Sequence, residues 1–294
     1  MMKQILKYGI PGLVCVVLGT LIFCDLTDVR SSGENVSPEI LMDSDIIEAS
    51  IEDEEAVLLT GVKAQDAEDG DISDQVRISS IQKIDDNDFR INYIVFDSEN
   101  YGSENSRALK YTDYYSPRIE ILKPLEFVID GKEKLSDFVS ATDCVDGDIS
   151  GFVHLDGLST DVSEGKYDCT LSVTNHFGDT RILPVTVKFV EKEEKDECQL
   201  ILRSYVTYLE KGEKFIPDDY LDYVIDNGKV EIDFGYRKYI EQNGQASGSW
   251  VNIDCISCET NLDQNTPGIY QAVYTYISEE SKEEVSAELL IVVE

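Results

Sequence analysis

Residues 165–190 read GKYDCTLSVTNHFGDTRILPVTVKFV, and the period of their apolar positions decides the fold. Tyr167, Cys169, Leu171 and Val173 recur at every second position, and so do Leu183, Val185, Val187 and Phe189. Alternation of this kind puts four side chains on one face of an extended strand, and such a face has to be covered by a second layer. Between the two runs stands the polar stretch Asn175-His-Phe-Gly178-Asp179, which predicts a turn and makes the pair a hairpin. Pro184 falls on the outward face of its run; proline donates no ladder hydrogen bond, so an edge or a bulge is expected there.

The same frame recurs on both sides of this hairpin. Asp66-Ala-Glu-Asp-Gly-Asp-Ile-Ser73 and Asp143-Cys-Val-Asp-Gly-Asp-Ile-Ser150 are near-identical and lie 77 residues apart. Phe89, Ile91, Tyr93 and Val95 alternate as Tyr167 to Val173 do, at an offset of 78. One unit has been duplicated. A third copy lacks the Asp-Gly-Asp loop but keeps the frame: Leu202 to Gly212 mirrors Ile121 to Gly131, and Gly268-Ile-Tyr270 mirrors Gly165-Lys-Tyr167. Tyr270, Ala272, Tyr274 and Tyr276 then alternate, and a last strand carries Ala287, Leu289, Ile291 and Val293 on one face.

The pattern Asp-x-x-Asp-Gly-Asp-Ile-Ser, then Gly-x-Tyr opening an alternating strand, then a short Asn/Asp-Gly turn, resembles the bacterial immunoglobulin-like domain family shared by pesticidal crystal proteins and many surface proteins of Gram-positive bacteria. The resemblance runs from about Glu48 to Glu294 and is fullest over Ile119 to Glu191. It implies an all-β chain of tandem immunoglobulin-like β-sandwiches, seven-stranded or similar, used as spacer or binding modules without catalytic residues of their own. The expected domains are 48–114, 115–191 and a diverged third at 192–294, with the charged run Glu191 to Glu197 as a solvated connector.

Upstream, residues 8–24 carry no charge and are long enough for a short membrane-spanning helix. Lys3 and Lys7 precede this segment and Asp25 and Asp28 follow it, so a cytoplasmic tail of residues 1–7 and an extracellular remainder are expected. A cleaved signal should end in small residues, and a lipoprotein signal should place a small residue before its cysteine. Here Phe23 and Cys24 close the segment, which favours an uncleaved transmembrane signal anchor over either rival. Residues 25–47, polar and acidic with Ser31, Ser32, Gly33, Ser37 and Pro38, read as a stalk linker.

A formal net charge of −34 over 294 residues excludes a nucleic-acid partner, because phosphate binding is driven by Lys and Arg. With 42% hydrophobic residues and 16 tyrosines the chain is not an acidic disordered tail. The acidic loops are the candidate site chemistry: Asp66, Glu68, Asp69 and Asp71, and again Asp143, Asp146 and Asp148, gather oxygens of the kind Ca²⁺ takes. Their spacing is not that of an EF-hand. The competing reading, which the residue types favour, is a tight turn in which Asp accepts backbone hydrogen bonds and Gly70 and Gly147 supply an unusual conformation.

The soluble part holds five cysteines: Cys144, Cys169, Cys198, Cys255 and Cys258. Outside the cytoplasm a Cys144–Cys169 disulfide tying loop to strand is one option and two independent thiols the other. Cys255-Ile-Ser-Cys258 lacks the second C-x-x-C of a zinc site and the βαβ setting of a redox pair, so a local disulfide is expected, within the pair or to Cys198. His154 and His176 stand near no nucleophile motif, and the chain does not read as an enzyme. The expectation is a membrane-anchored extracellular structural or adhesive surface protein. The alternative is a module binding a glycan or another envelope protein, or an accessory subunit of an envelope assembly, with Trp250, Tyr236 and Tyr239 in the third copy as the aromatics that would decide.

Overall fold

The computed structural model describes residues 36–85, 88–129, 131–159, 161–191, 198–233, 256–278 and 280–294. Among the described residues strands dominate, and they fall into three sets of seven with one repeated order. The first set is β1 Glu39–Met42, β2 Ile46–Ala49, β3 Val62–Asp66, β4 Gly70–Asp71, β5 Arg77–Asp85, β6 Asp88–Phe96 and β7 Gly102–Tyr111. The second is β8 Arg118–Ile121, β9 Glu126–Val128, β10 Val139–Asp143, β11 Gly147–Asp148, β12 His154–Asp156, β13 Gly165–Thr174 and β14 Thr180–Val190. The third is β15 Gln199–Leu202, β16 Val206–Leu209, β17 Leu221–Asp226, β18 Lys229–Asp233, β19 Ile256–Thr260, β20 Gly268–Ile277 and β21 Glu284–Val293.

Each set forms a three-stranded and a four-stranded sheet: β1-β3-β4 with β2-β7-β6-β5, β8-β10-β11 with β9-β14-β13-β12, and β15-β17-β18 with β16-β21-β20-β19. In every set the second strand joins the last one in parallel, as Ile46 does with Ala108, Glu126 with Lys188 and Val206 with Leu290, while β1-β3-β4 and the other paired neighbours of the second and third sets run antiparallel. This is a mainly β, sandwich-like architecture.

The alternating runs are buried as their period requires. Phe89, Ile91, Tyr93 and Val95 are each no more than 2% exposed, and Leu171, Leu183 and Val187 are fully covered. Pro184 pairs with Thr170 and points to solvent. The ladder between β14 and β9 covers only Lys188–Val190, so the outer side of β14 at Pro184 takes part in neither ladder of that strand. The expected edge is present without a bulge.

One boundary is corrected. The stalk expected over 25–47 already contains β1 and the first half of β2, which pair with β3 and β7. Each has four residues, too short for a period to stand out, and they are held by pairing to distant strands rather than by their own pattern. The anchor expected at 8–24, the tail at 1–7 and all of the connector at 191–197 except Glu191 lie outside the described residues; no helix among the described ones is long and apolar enough to cross a membrane.

The chain divides into two compact units, one including residues 36–44, Leu59–Ser79 and Asn92–Ser106, the other Asp45–Leu58, Ser80–Ile91 and Arg107–Glu294. The second and third strand sets thus share the second unit, and their apolar residues form one contiguous core from Ile119 to Val293.

Candidate functional site

The two acidic loops are built alike, bond for bond. Asp66 ends β3 and its Oδ1 accepts the amide N–H groups of Glu68 and Asp69, both at 2.8 Å. Asp143 ends β10 and accepts those of Val145 and Asp146 at 2.9 and 3.0 Å. Gly70 and Gly147 follow with φ of +77° and +70°, the left-handed region where a side chain is strained. Asp71 then accepts from the Ser73 hydroxyl at 2.5 Å and its N–H at 3.0 Å, and Asp148 does the same with Ser150. Those serine hydroxyls in turn accept the N–H of Ala64 and Ala141, stitching each loop to its strand.

The third carboxylate of each loop reaches the β-hairpin opposite. Asp69 accepts the N–H and hydroxyl of Ser98 at 2.7 and 2.8 Å, while Asp146 accepts the N–H of His176 at 2.8 Å and pairs with its ring Nδ1. The bonds to Asp66, Asp71 and Asp148 favour the charged carboxylate. The N–H groups of Asp69 and Glu68 hold Asp66 below its ordinary value, and the serine hydroxyls, followed by the serine amides, do so for Asp71 and Asp148. Glu68 moves the other way, raised first by desolvation and then by the charges of Asp66, Glu99, Asp97 and Asp69.

Asp66, Asp69, Asp71, Asp143, Asp146 and Asp148 therefore act as turn acceptors, and among the described residues no three side chains of His, Cys, Asp or Glu stand together as a metal-holding group. The turn reading accounts for both loops as they stand. No catalytic cluster is found among the described residues either, and His154 is exposed on a short strand.

The Cys144–Cys169 disulfide is not formed. The two are separate thiols, the first donating to the Tyr115 carbonyl at 3.1 Å and the second buried on the inner face of β13. Burial pushes both thiols up, which lowers their thiolate fraction. Cys198 is buried in the core and Cys258 half-buried on β19; Cys255 lies outside the described residues, so the local pair has no geometry here. Trp250, Tyr236 and Tyr239 lie outside them as well.

Two joints in the second unit carry polar contacts that pattern reading does not reach. At the first, Asp179 takes the Lys83 ammonium at 2.7 Å and the Tyr114 hydroxyl at 2.5 Å, and Asn175 links Tyr114 to Asp143 at 3.0 and 3.1 Å. Phe89, Tyr111, Tyr114 and Phe177 pack around it, with ring centroids 4.8 to 6.5 Å apart. At the second joint, between the second and third strand sets, Glu294 pairs with Arg118 at 2.9 Å and with Arg181, and both guanidinium groups lie over the Tyr208 ring. The Tyr208 hydroxyl accepts from Ile119 N–H at 2.8 Å and donates to its carbonyl at 3.0 Å. The second and third sets also line a cleft of about 620 Å³, whose apolar residues include Ile121, Leu125 and Phe138 and whose charged residues include Lys123, Lys188 and Glu288.

Searches with family models return no match for this chain, and no curated protein matches it. The resemblance to pesticidal-crystal-type repeats thus rests on the motifs quoted above, and the likeness found among solved structures is distant and to other β-domain proteins. The CBM51-2 and INT domains of Clostridium perfringens ZmpB, solved with GlcNAc, are 20% identical over 49% of this chain and 26% of theirs, at a TM-score of 0.22. The S-layer protein rSbsC is 13% identical over 90% of this chain and 41% of its own, at 0.18. Extracellular cadherin domains 3–6 of protocadherin gamma B2 are 9% identical over 87% and 73%, also at 0.18. The chain spans about a quarter of the length of the ZmpB structure.

Proposed function

We propose that this chain is a structural or adhesive surface protein, anchored in a membrane by residues 8–24, whose sandwich modules serve as spacers outside the cell. The observation that supports the spacer role is the joint between the second and third strand sets. Glu294, Arg118, Arg181 and Tyr208 lock successive modules together over a shared apolar core, where a flexible chain of independent domains would leave a polar, loosely packed contact. The acidic surface keeps such modules soluble and apart by self-repulsion. Protease treatment of intact cells tests the topology. Residues after 25 should be digested from outside while a label on residues 1–7 stays protected; full protection of the whole chain would reject the reading.

The cleft lined by the second and third sets favours a second reading, a binding module for a glycan or another envelope protein. Its volume falls within the range typical of ligand sites. A pull-down from the native envelope that retains a partner with the wild-type chain, and loses it when Lys123 and Lys188 are changed to Glu, would favour binding over spacing.

A further inference from the structure

In all three strand sets the residue before the turn glycine reaches the hairpin opposite. In the first two it is an aspartate that accepts: Asp69, before Gly70, takes the N–H and hydroxyl of Ser98, and Asp146, before Gly147, takes the N–H of His176. In the third it is an amide that donates. Asn227, before Gly228, gives an Nδ2 hydrogen to Glu280 Oε2 at 2.7 Å, in the turn between β20 and β21. The sense of the contact is reversed, so the third set needs an amide where the other two carry an acid.

Asparagine followed by glycine is also among the least durable pairs in a polypeptide. The glycine nitrogen can attack the asparagine side-chain carbon, and glycine has no side chain to stand in the way. Asn227 and Gly228 are both exposed, with φ of +48° and +70°, and open space surrounds the position a Cβ on Gly228 would take. The tip that carries them is lightly held. Past the register shift between Val224 and Ile225, the hairpin closes on two residue pairs, Ile225 with Val230 and Asp226 with Lys229. Val230 is 60% exposed, and β18 ends the order β15-β17-β18. Asp226 is buried, and its Oδ1 has no hydrogen-bond partner among the described residues. Few buried contacts and one unsatisfied carboxylate make the opening of this tip inexpensive.

We propose that Asn227 is a site of spontaneous covalent modification, with water as the co-reactant, and that losing its amide unlatches the β17–β18 tip from the turn between β20 and β21. The Gly228 nitrogen bonds to Asn227 Cγ and gives up its proton. The Cγ–Nδ2 bond breaks, and Nδ2 leaves with that proton as ammonia. Water then opens the cyclic imide at one of its two carbonyl–nitrogen bonds. Opening at Cγ leaves aspartate, and opening at the backbone carbonyl leaves isoaspartate; nothing is oxidised or reduced. Either product sets a carboxylate against Glu280 where an amide had donated, and like charges so close repel. Isoaspartate also lengthens the backbone of a two-residue turn.

Incubation of the full chain in mildly alkaline buffer, beside the same chain in denaturant, tests this. Tryptic peptide mapping reads acid at position 227 and separates it from the chain's other Asn-Gly pair, Asn243-Gly244, which lies outside the described residues. The folded chain should convert at a rate within about tenfold of the denatured one, since a weakly held turn opens at little cost. Asn227→Gln, whose longer side chain closes its ring far more slowly, should keep its amide. In Asn227→Asp, amide hydrogen exchange over residues 225–230 should quicken about tenfold, the effect of one lost hydrogen bond together with a like-charge pair. Adding Glu280→Gln should return that exchange to the wild-type rate. A folded chain that keeps its amide at 227 while the denatured chain loses it would overturn the proposal. Exchange in Asn227→Asp that matches the wild type would overturn it too.

Discussion

Tyr114 shows how much one buried hydroxyl can govern. Burial first, and then its hydrogen bond to the Asp179 carboxylate, raises its pKa far above the ordinary 10.0. Burial likewise pushes Tyr111 and Tyr208 up to about 12 and raises Tyr274 further. A tyrosine whose folded pKa is raised contributes stability that is whole below the unfolded value near 10 and is lost as pH climbs through the folded one. Denaturant melts should therefore give a constant stability from pH 7 to 9 and a steep fall above pH about 10, with Tyr114→Phe flattening part of that fall. Asp179 has the opposite sign: burial works against its charge, but Lys83, Ser116 and Tyr114 outweigh it and the pKa ends low. None of this joint is legible from pattern, because Lys83 and Asp179 are 96 residues apart and neither breaks a period.

The loops show what an element's chemistry makes readable. Gly70 and Gly147 have open space where a Cβ would stand, so replacing either by Ala tests backbone strain without a clash. Each variant should lose about 1–2 kcal/mol in chemical denaturation, the cost of an L-residue in the left-handed region, and together they should lose roughly the sum. The turn role of Asp66, Asp143 and their glycines follows from residue type, since short acceptor side chains and a permissive backbone suit tight turns. The long strands are legible because ten or so alternating residues leave no ambiguity, whereas β1 and β2 carry four residues each and depend on their partners. In the third set Asn227-Gly228, both at positive φ, joins β17 to β18 and preserves the strand order without an acidic loop. Asn-Gly between strands is a hairpin signal in its own right, and analogy with the Asp-Gly-Asp motif passes over it.

Within the second unit the core runs unbroken from the second strand set into the third, and Glu294 ties both to Arg118 and Arg181. The two sets should melt as one transition in calorimetry. Arg118→Ala with Arg181→Ala removes both charge-assisted bonds to Glu294 and leaves its carboxylate beside Tyr208; a loss of about 2 kcal/mol and a second, earlier transition are expected, against a single unchanged transition if the joint were incidental. The tripled strand order is the largest feature readable from the repeat, while the coupling of neighbours is not, because the residues that make it are single charges scattered over 176 positions. Pro184 adds a consequence of a different kind. The Lys188 N–H points outward from β14 to the Leu125 carbonyl, and Pro184, four residues earlier, stands on that same side. Where an amide would have offered itself to a passing strand there is a pyrrolidine ring, so crowded copies of this chain are denied one template for zippering edge to edge into aggregates.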